Sequence, residues 1–142
     1  MVERVVLDTS VVVAALRTRE GTGNAVLRLV ANRRLRALAT SPLFLEYEDV
    51  LKRPEQRIAH GLTPDRIDEF LAELAGLIEP INVRFLWRPQ VRDPSDEMVL
   101  EAGINGRADA LVTYNIRDFE RAGRRFEVVI LSPPDLLKMV KR

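Results

Sequence analysis

An aspartate at the end of an apolar run is the residue of this sequence that most needs a chemical explanation. Residues 5–13 read VVLDTSVVV, a pattern typical of a strand that is buried on both faces. Asp8 follows that strand, although burying a carboxylate without a partner is strongly unfavourable. The hydroxyl residues Thr9 and Ser10 come next. The pattern predicts that Asp8 either caps a helix or belongs to a functional site at the end of the strand.

Further acidic residues occupy comparable positions along the chain. Asp96 and Glu97 open a predicted helix, and Asp118 follows a predicted strand that ends at Thr113. Glu46 lies on the predicted inner face of another helix. Because the carboxyl ends of parallel strands meet at one edge of a sheet, we expect these side chains to converge there.

Each of these acids also has a purely structural interpretation when it is taken alone. Asp8 and Asp118 could cap the helices that follow them. Asp96 and Glu97 could stabilise the dipole at the start of their helix. Glu46 could be an ordinary residue at the boundary of the core.

The acids are harder to explain structurally as a set. Three or four converging carboxylates repel one another, so such a cluster requires a cation or raised pKa values. Oxygen ligands without His or Cys suit Mg²⁺ or Mn²⁺. These ions activate water and neutralise phosphate oxygens. The set therefore favours metal-dependent hydrolysis of phosphodiester bonds.

The composition excludes several other kinds of site. The chain has no cysteine, which excludes disulfides, thiolate nucleophiles and Cys-based zinc sites, and its single histidine excludes a two-His metal site. We expect that residue, His60, at the surface in the turn-like stretch HGLTP. The formal net charge of +1 does not indicate nucleic-acid binding by bulk charge. No run reaches membrane-spanning length and the start lacks a signal-peptide pattern, so we expect a cytoplasmic protein.

Strand and helix patterns alternate along the chain. We predict a single α/β domain over residues 1–142, with three layers (α/β/α) and a central, mostly parallel sheet of about five strands. The predicted strands are 2–7, 36–40, 81–86, 110–113 and 126–131, and the stretch WRPQVRDPS at 87–95 is predicted as a loop.

Several residues have the character of helix starts or stops. Thr9 or Ser10 is predicted to cap the first helix, and Ser41 the helix that has Pro42 at its first position. Pro54 is predicted to end that helix. Thr63 is predicted to open another helix, and Ser132 forms a capping box with Asp135 for the last.

Four segments together resemble the PIN-domain family of nucleases. They are VVLDTSVVV, SPLFLEYEDVL, DPSDEMVLEAG and ADALVTYNIRDF, and their order and spacing agree with the family from Val5 to about Leu137. Within the family the chain looks most like VapC-type toxins, the ribonuclease halves of toxin–antitoxin pairs.

The resemblance implies that Asp8, Glu46 and Asp96 are catalytic, metal-binding carboxylates. It also implies a fourth contribution from YNIRDF, where many relatives have an acid at the position of Asn115. We assign that contribution jointly to Asp118 and Asn115, the first as a catalytic residue and metal ligand and the second as a further metal ligand.

Residues beside these acids would support them or contact the substrate. Thr9, Ser10 and Thr113 would supply hydroxyl groups, and Glu97 would lie next to Asp96 without replacing it as a ligand. The backbone of a bound nucleic acid would be held by exposed arginines, for which the candidates are Arg17, Arg19 and Arg117.

The reaction that the resemblance implies is hydrolysis of RNA with Mg²⁺ or Mn²⁺, in which water attacks the phosphorus and a 3′-hydroxyl leaves. It further implies a homodimer and a cognate antitoxin protein as partners.

Two other functions remain open from the sequence. A Mg²⁺-dependent phosphatase or phospho-acceptor domain would also place an Asp after a strand. The dehalogenase type, however, needs a second Asp where Ser10 stands, and both types need a Lys after a later strand, where only Lys138 and Lys141 are found. The other alternative is a non-catalytic PIN-like module that binds RNA or a partner, which Asn115 makes conceivable.

Overall fold

The computed structural model describes residues 2–84 and 93–140 as an α/β protein with three layers. Its strands are β1 (Arg4–Leu7), β2 (Arg36–Ala39), β3 (Ile78–Pro80), β4 (Ala110–Val112) and β5 (Ile130–Leu131). Its helices are α1 (Thr9–Arg17), α2 (Thr22–Ala31), α3 (Ser41–Leu51), α4 (Pro54–His60), α5 (Pro64–Leu77), α6 (Pro94–Gly106), α7 (Ile116–Phe126) and α8 (Pro133–Met139).

The described strands form one parallel sheet in the order β3-β2-β1-β4-β5. This confirms the predicted fold class. β1 lies at the centre, with β2 and then β3 on one side of it and β4 and then β5 on the other. In such a sheet the crevice outside the carboxyl ends of the central strands is the usual ligand-binding position. We call the edge where β1 and β4 end the carboxyl edge, and the edge where β1 and β2 begin the amino edge.

The central strands are buried because their side chains are apolar on both faces. Val5, Val6, Leu38 and Leu111 are completely inaccessible to solvent. This is the environment expected of a parallel sheet that helices cover on both sides. None of the helices in the described ranges has both the length and the apolar composition needed to cross a membrane.

The two outer strands are not where the sequence pattern predicted them. β3 lies at residues 78–80 instead of 81–86, and residues 81–84 are not in a strand, while 85 and 86 lie outside the described residues. Ile78 fits the helical period of α5, but it pairs with Ala37 of β2. Tertiary pairing therefore decides its conformation.

β5 is shorter than predicted, since it contains only Ile130 and Leu131. Phe126, the first residue of the predicted strand, is instead the last residue of α7, and residues 127–129 connect that helix to β5. Glu127 follows that helix in the left-handed conformation, with φ 57°, and its N–H bonds to the carbonyl oxygen of Gly123. The helix end thus uses residues whose apolar character had indicated a strand.

Three predicted helix boundaries were also wrong. The residue before α1 is Asp8, while Thr9 and Ser10 already belong to the helix. α3 is capped by Thr40, whose side chain accepts a bond from the N–H of Leu43, so the predicted cap Ser41 is its first residue. Most of the loop predicted at 87–95 lies outside the described residues, and its last two residues already belong to α6.

The segment after α3 contains a helix that the sequence analysis did not predict. α3 ends at Leu51, before Pro54, and Pro54 begins α4. His60 ends α4 and is half-buried, with Nδ1 accepting from the N–H of Leu62 and Nε2 3.0 Å from the carbonyl oxygen of Leu51. It joins two helix ends rather than lying free at the surface.

The predicted caps at Thr63 and Ser132 are confirmed. Their side chains accept bonds from the N–H groups of Arg66 and Asp135.

Candidate active site

Asp8 lies immediately after β1, at the centre of the carboxyl edge. Its backbone N–H donates to the carbonyl oxygen of Val112 at the end of β4, over 2.9 Å. Asp8 is only 4% exposed. Its carboxylate forms no capping hydrogen bond to the N-terminus of α1. The capping interpretation is therefore wrong for this side chain, and its burial requires another explanation.

One oxygen of the Asp8 carboxylate is held by two hydroxyl groups. Ser10 Oγ and Thr113 Oγ1 each donate to Asp8 Oδ2 over 2.7 Å. In the part of the chain that the structure describes, Oδ1 accepts no hydrogen bond. These donors fix the orientation of the carboxylate, while one oxygen is left for a further ligand.

Both hydroxyl groups are themselves held by the segment that follows β4. Thr113 is fully buried, and its Oγ1 accepts from the N–H of Asn115 over 2.8 Å. Ser10 Oγ accepts from the N–H of Tyr114 over 3.3 Å. Thr9 differs, because its buried Oγ1 forms no hydrogen bond among the described residues. Ser10 and Thr113 thus contact Asp8 directly, whereas Thr9 does not.

Asp96 lies half-buried in the first turn of α6. Its pKa is raised to about 7, first by burial and then by the negative charge of Asp8, with smaller contributions from Asp93, Asp118 and Glu97. The charges of Asp8 and Asp118 therefore lie near enough to Asp96 to disfavour its ionised form. A cation placed among them would offset this repulsion, although not the effect of burial.

Glu46 is joined to α6 through a serine. It is half-buried on α3, and its Oε2 accepts from Ser95 Oγ over 2.9 Å. Ser95 directly precedes Asp96, and its N–H donates to Asp93 Oδ1 over 2.8 Å. The structure therefore brings Glu46 to the start of α6.

The oxygen donors suit a hard divalent ion, but they do not form a complete metal-binding cluster among the described residues. Among the described residues, no three acidic or histidine side chains lie close enough together to form a metal cluster. The available donors are carboxylates, one with an oxygen that lacks a hydrogen bond and one with a raised pKa. That chemistry fits Mg²⁺ or Mn²⁺.

A family model described as PIN domain matches residues 4–117. The chain belongs to the PIN-domain family. PIN domains are generally nucleases, which bind nucleic acids and generally use divalent metal ions. The match includes Asp8, Glu46 and Asp96 and ends one residue before Asp118. No curated protein has a sequence that matches the chain.

The remaining predicted residues of this PIN domain lie mostly at its surface. Asn115 precedes α7, is exposed and does not cap the helix through its side chain, and Asp118 is exposed in the first turn. Arg17, Arg19 and Arg117 are exposed as well. Their roles stay predictions.

Glu97 differs from its neighbour Asp96 in burial, being only 5% exposed. It contributes to the raised pKa of Asp96, although last among the causes. Its assignment as a supporting residue also stays a prediction.

Sequence reasoning missed two residues that hold this PIN-domain site together. Tyr47 is buried, and its hydroxyl donates to the carbonyl oxygen of Leu7 over 2.6 Å, next to Asp8. Burial and then the charge of Asp8 raise the pKa of Tyr47. Ser95 was the other omission. Both were detectable in principle, since each directly neighbours a predicted acid, Glu46 or Asp96.

Proposed function

We propose that this PIN domain is an endoribonuclease that hydrolyses RNA phosphodiester bonds with Mg²⁺ or Mn²⁺. The observation that carries the proposal is that Asp8 and Asp96, two carboxyl groups that repel each other, lie near each other at the carboxyl edge. Asp8 is buried with an oxygen that accepts no hydrogen bond among the described residues, and Asp96 has a pKa raised to about 7 by burial and by neighbouring acids. Carboxylates so placed are unfavourable for the fold alone and favourable for binding a cation.

The residues that would hold the metal are Asp8, Glu46, Asp96 and Asp118, with the amide oxygen of Asn115 as a further ligand. When bound, the ion supplies Lewis acidity that neutralises the phosphate and activates water. Ser10 and Thr113 hold the Asp8 carboxylate in a fixed orientation through their hydrogen bonds to Oδ2.

In the proposed reaction, water attacks the phosphorus and one of the carboxylates accepts its proton. The bond from phosphorus to the 3′ oxygen breaks, and the products are a 5′-phosphate and a 3′-hydroxyl. Arg17, Arg19 and Arg117 would contact the backbone of the RNA on either side of the reacting phosphate, because guanidinium groups bind phosphate oxygens well.

The finer biological role rests on the resemblance to VapC-type toxins. We propose a cytoplasmic toxin of a type II toxin–antitoxin pair that consists of one domain over residues 1–142, forms a homodimer and binds a cognate antitoxin. Induced expression should then arrest growth, and Asp8→Asn should relieve the arrest.

The direct test is cleavage of a mixed RNA pool by the purified protein in Mg²⁺, Mn²⁺ and EDTA. Asp8→Asn, Glu46→Gln and Asp96→Asn should each abolish cleavage while circular dichroism stays unchanged. Asp65→Asn is the matched control, because Asp65 is an exposed acid in the first turn of α5. Cleavage that persists in EDTA, or in all three variants, would contradict the proposal.

The second candidate function is a non-catalytic module that binds RNA or a partner. It is favoured by the lack of a ready-made metal cluster in the described residues and by Asn115. RNA binding that neither EDTA nor Asp8→Asn alters, without cleavage, would support this alternative. The PIN-domain match favours the nuclease over the phosphatase or phospho-acceptor reading.

A further inference from the structure

A second concave site lies at the amino edge, away from the acidic residues. It is a cavity of about 300 Å³ beside the first residues of β1 and β2 and the last residue of α5. Its lining is Glu3, Arg4, Val30, Arg33, Arg34, Leu35, Arg36 and Leu77. β1 separates it from Asp8 by four residues of extended chain, about 13 Å at the usual rise per residue.

The lining of this cavity carries more positive charge than its surroundings neutralise. Arg4 is neutralised by Glu79, at 2.9 Å, and also donates to the carbonyl oxygen of Gly106. Arg33 and Arg36 are exposed, and within the described ranges their side chains form no ion pair or hydrogen bond. Glu3 is the only acid in the lining, and its single negative charge cannot neutralise both Arg33 and Arg36.

The backbone conformation of Arg33 determines which substitution best tests its side chain. It adopts the left-handed conformation, with φ 62°, just after α2, and its N–H bonds to the carbonyl oxygen of Val30. Glycine takes this position after a helix at lower energy than any residue with a Cβ. Arg33→Gly therefore removes the guanidinium group at a position where the backbone accommodates glycine without strain.

We propose that this cavity binds a phosphate group. The guanidinium groups of Arg33 and Arg36, which have no partner among the described residues, can each form paired hydrogen bonds to phosphate oxygens. The volume suits a single phosphate or a diphosphate. The phosphate could come from a small molecule or from the backbone of an RNA that extends beyond the carboxyl edge. The second source rests on the proposed function, whereas the first is independent of it.

The test is isothermal titration of the full chain in EDTA, which excludes binding through a metal at the acidic site. The ligands are pyrophosphate in one arm and a short single-stranded RNA in the other. Arg33→Gly and Arg36→Gln should each weaken binding by about tenfold or more. Arg107→Gly is the matched control, because Arg107 is also left-handed after a helix, with φ 51°, but does not line the cavity.

Thermal melting separates binding from folding in these variants. Arg33→Gly should melt at the same temperature as the parent or higher, because glycine relieves the backbone strain. A loss of affinity in a variant of undiminished stability therefore reports the side chain itself, even if Arg36→Gln folds poorly.

The two arms identify the source of the phosphate. Pyrophosphate binding that is lost in Arg33→Gly but kept in Arg107→Gly supports a site for small phosphates. The same pattern with RNA alone assigns the site to the RNA backbone. Equal weakening in all three variants would indicate bulk charge, and undiminished binding of both ligands by Arg33→Gly would likewise overturn the proposal. Neither result depends on RNA cleavage, so the proposed nuclease function is judged separately.

Discussion

Asp96 and Asp109 lie at opposite edges of the sheet, and their pKa values are shifted in opposite directions. Asp109 is exposed at the amino edge, and its Oδ2 accepts from the backbone N–H groups of Glu3 and Arg4, each over 2.9 Å. These bonds lower its pKa. At the carboxyl edge, burial and the charges of other acids raise the pKa of Asp96 to about 7.

The difference separates a structural acid from one that needs a further partner. The protein supplies backbone donors that stabilise the ionised form of Asp109, so this residue strengthens the connection between β1 and the start of β4. Asp96 is brought close to like charges, which destabilises its ionised form. An acid that weakens the fold in this way is a candidate for function, whereas an acid that is satisfied by the fold is not.

The largest effect should come from removing the charge of Asp8. If the proposed function holds, Asp8→Asn should lower the rate of RNA cleavage by about a hundredfold or more, because the site would lose a buried carboxylate that we propose as a metal ligand. Asp109→Asn, at the opposite edge, should leave the rate close to that of the parent. Single-turnover cleavage in Mg²⁺ measures both, and equal losses in the two variants would remove the functional contrast between the edges.

Thr113→Val should have the next largest effect, this time on stability. The change keeps the shape of a fully buried side chain but removes the donor to Asp8 and the acceptor for the N–H of Asn115. We expect the free energy of unfolding to fall by about 2 kcal/mol. Urea denaturation measures it, with Thr113→Ser, which keeps the hydroxyl group, as the control. A Thr113→Val variant as stable as the parent would show that this network is unimportant.

Asp109→Ala should destabilise the protein by about 1 kcal/mol, since water partly replaces the lost acceptor at this exposed position. The pKa of Asp109 is lowered by folding. Its contribution is therefore present above the unfolded pKa of about 3.9 and is lost as pH falls through the folded value. Urea denaturation at pH 7 and pH 3 should show the deficit of the variant shrinking in acid. A constant deficit would mean that the charge of Asp109 does not matter.

Asp96→Asn should have the smallest effect on the free energy of unfolding, and it should raise that free energy instead of lowering it. The raised pKa means that the folded protein holds this proton more tightly than the unfolded chain. Between about pH 4 and pH 7 the parent in EDTA therefore loses stability as pH rises. Because Asp96 is partly solvated, we expect a gain of only about 0.5–1 kcal/mol for the variant at pH 8.

The gain in Asp96→Asn should disappear below about pH 3, where Asp96 is protonated in both the folded and the unfolded state. Mg²⁺ should raise the melting temperature of the parent more than that of the variant, because only the parent retains the full set of carboxylates. A parent whose stability in EDTA does not change between pH 4 and pH 8 would contradict the origin we assign to the shift.

The central strands were predictable because burial on both faces selects continuous apolar runs, as in β1, β2 and β4. The outer strands were not. β3 and β5 pair on one side only and are three and two residues long, so their local sequence resembles that of the adjoining helices. Their positions follow from the register of the neighbouring strand, which no local pattern contains.

The candidate site likewise has features that the sequence predicted and features that only the structure decided. Residue type and position relative to the strand ends were enough to select Asp8, Glu46, Asp96 and Asp118, because parallel strands bring their carboxyl ends together wherever the intervening chain runs. The sequence, which has no cysteine and a single histidine, also led to the proposal of an oxygen-only donor set and of Mg²⁺ or Mn²⁺ as the ion.

Only the tertiary structure decided which groups satisfy each acid. Thr113 lies 105 residues from the Asp8 that it binds, and Ser95 lies 49 residues from Glu46. The raised pKa of Asp96, the lowered pKa of Asp109 and the arginine-lined cavity at the amino edge likewise depend on distances between elements that are remote in sequence. Hydrogen bonds require donor and acceptor about 3 Å apart, and charge interactions weaken as the distance grows, so both become defined only when the packed sheet sets those distances.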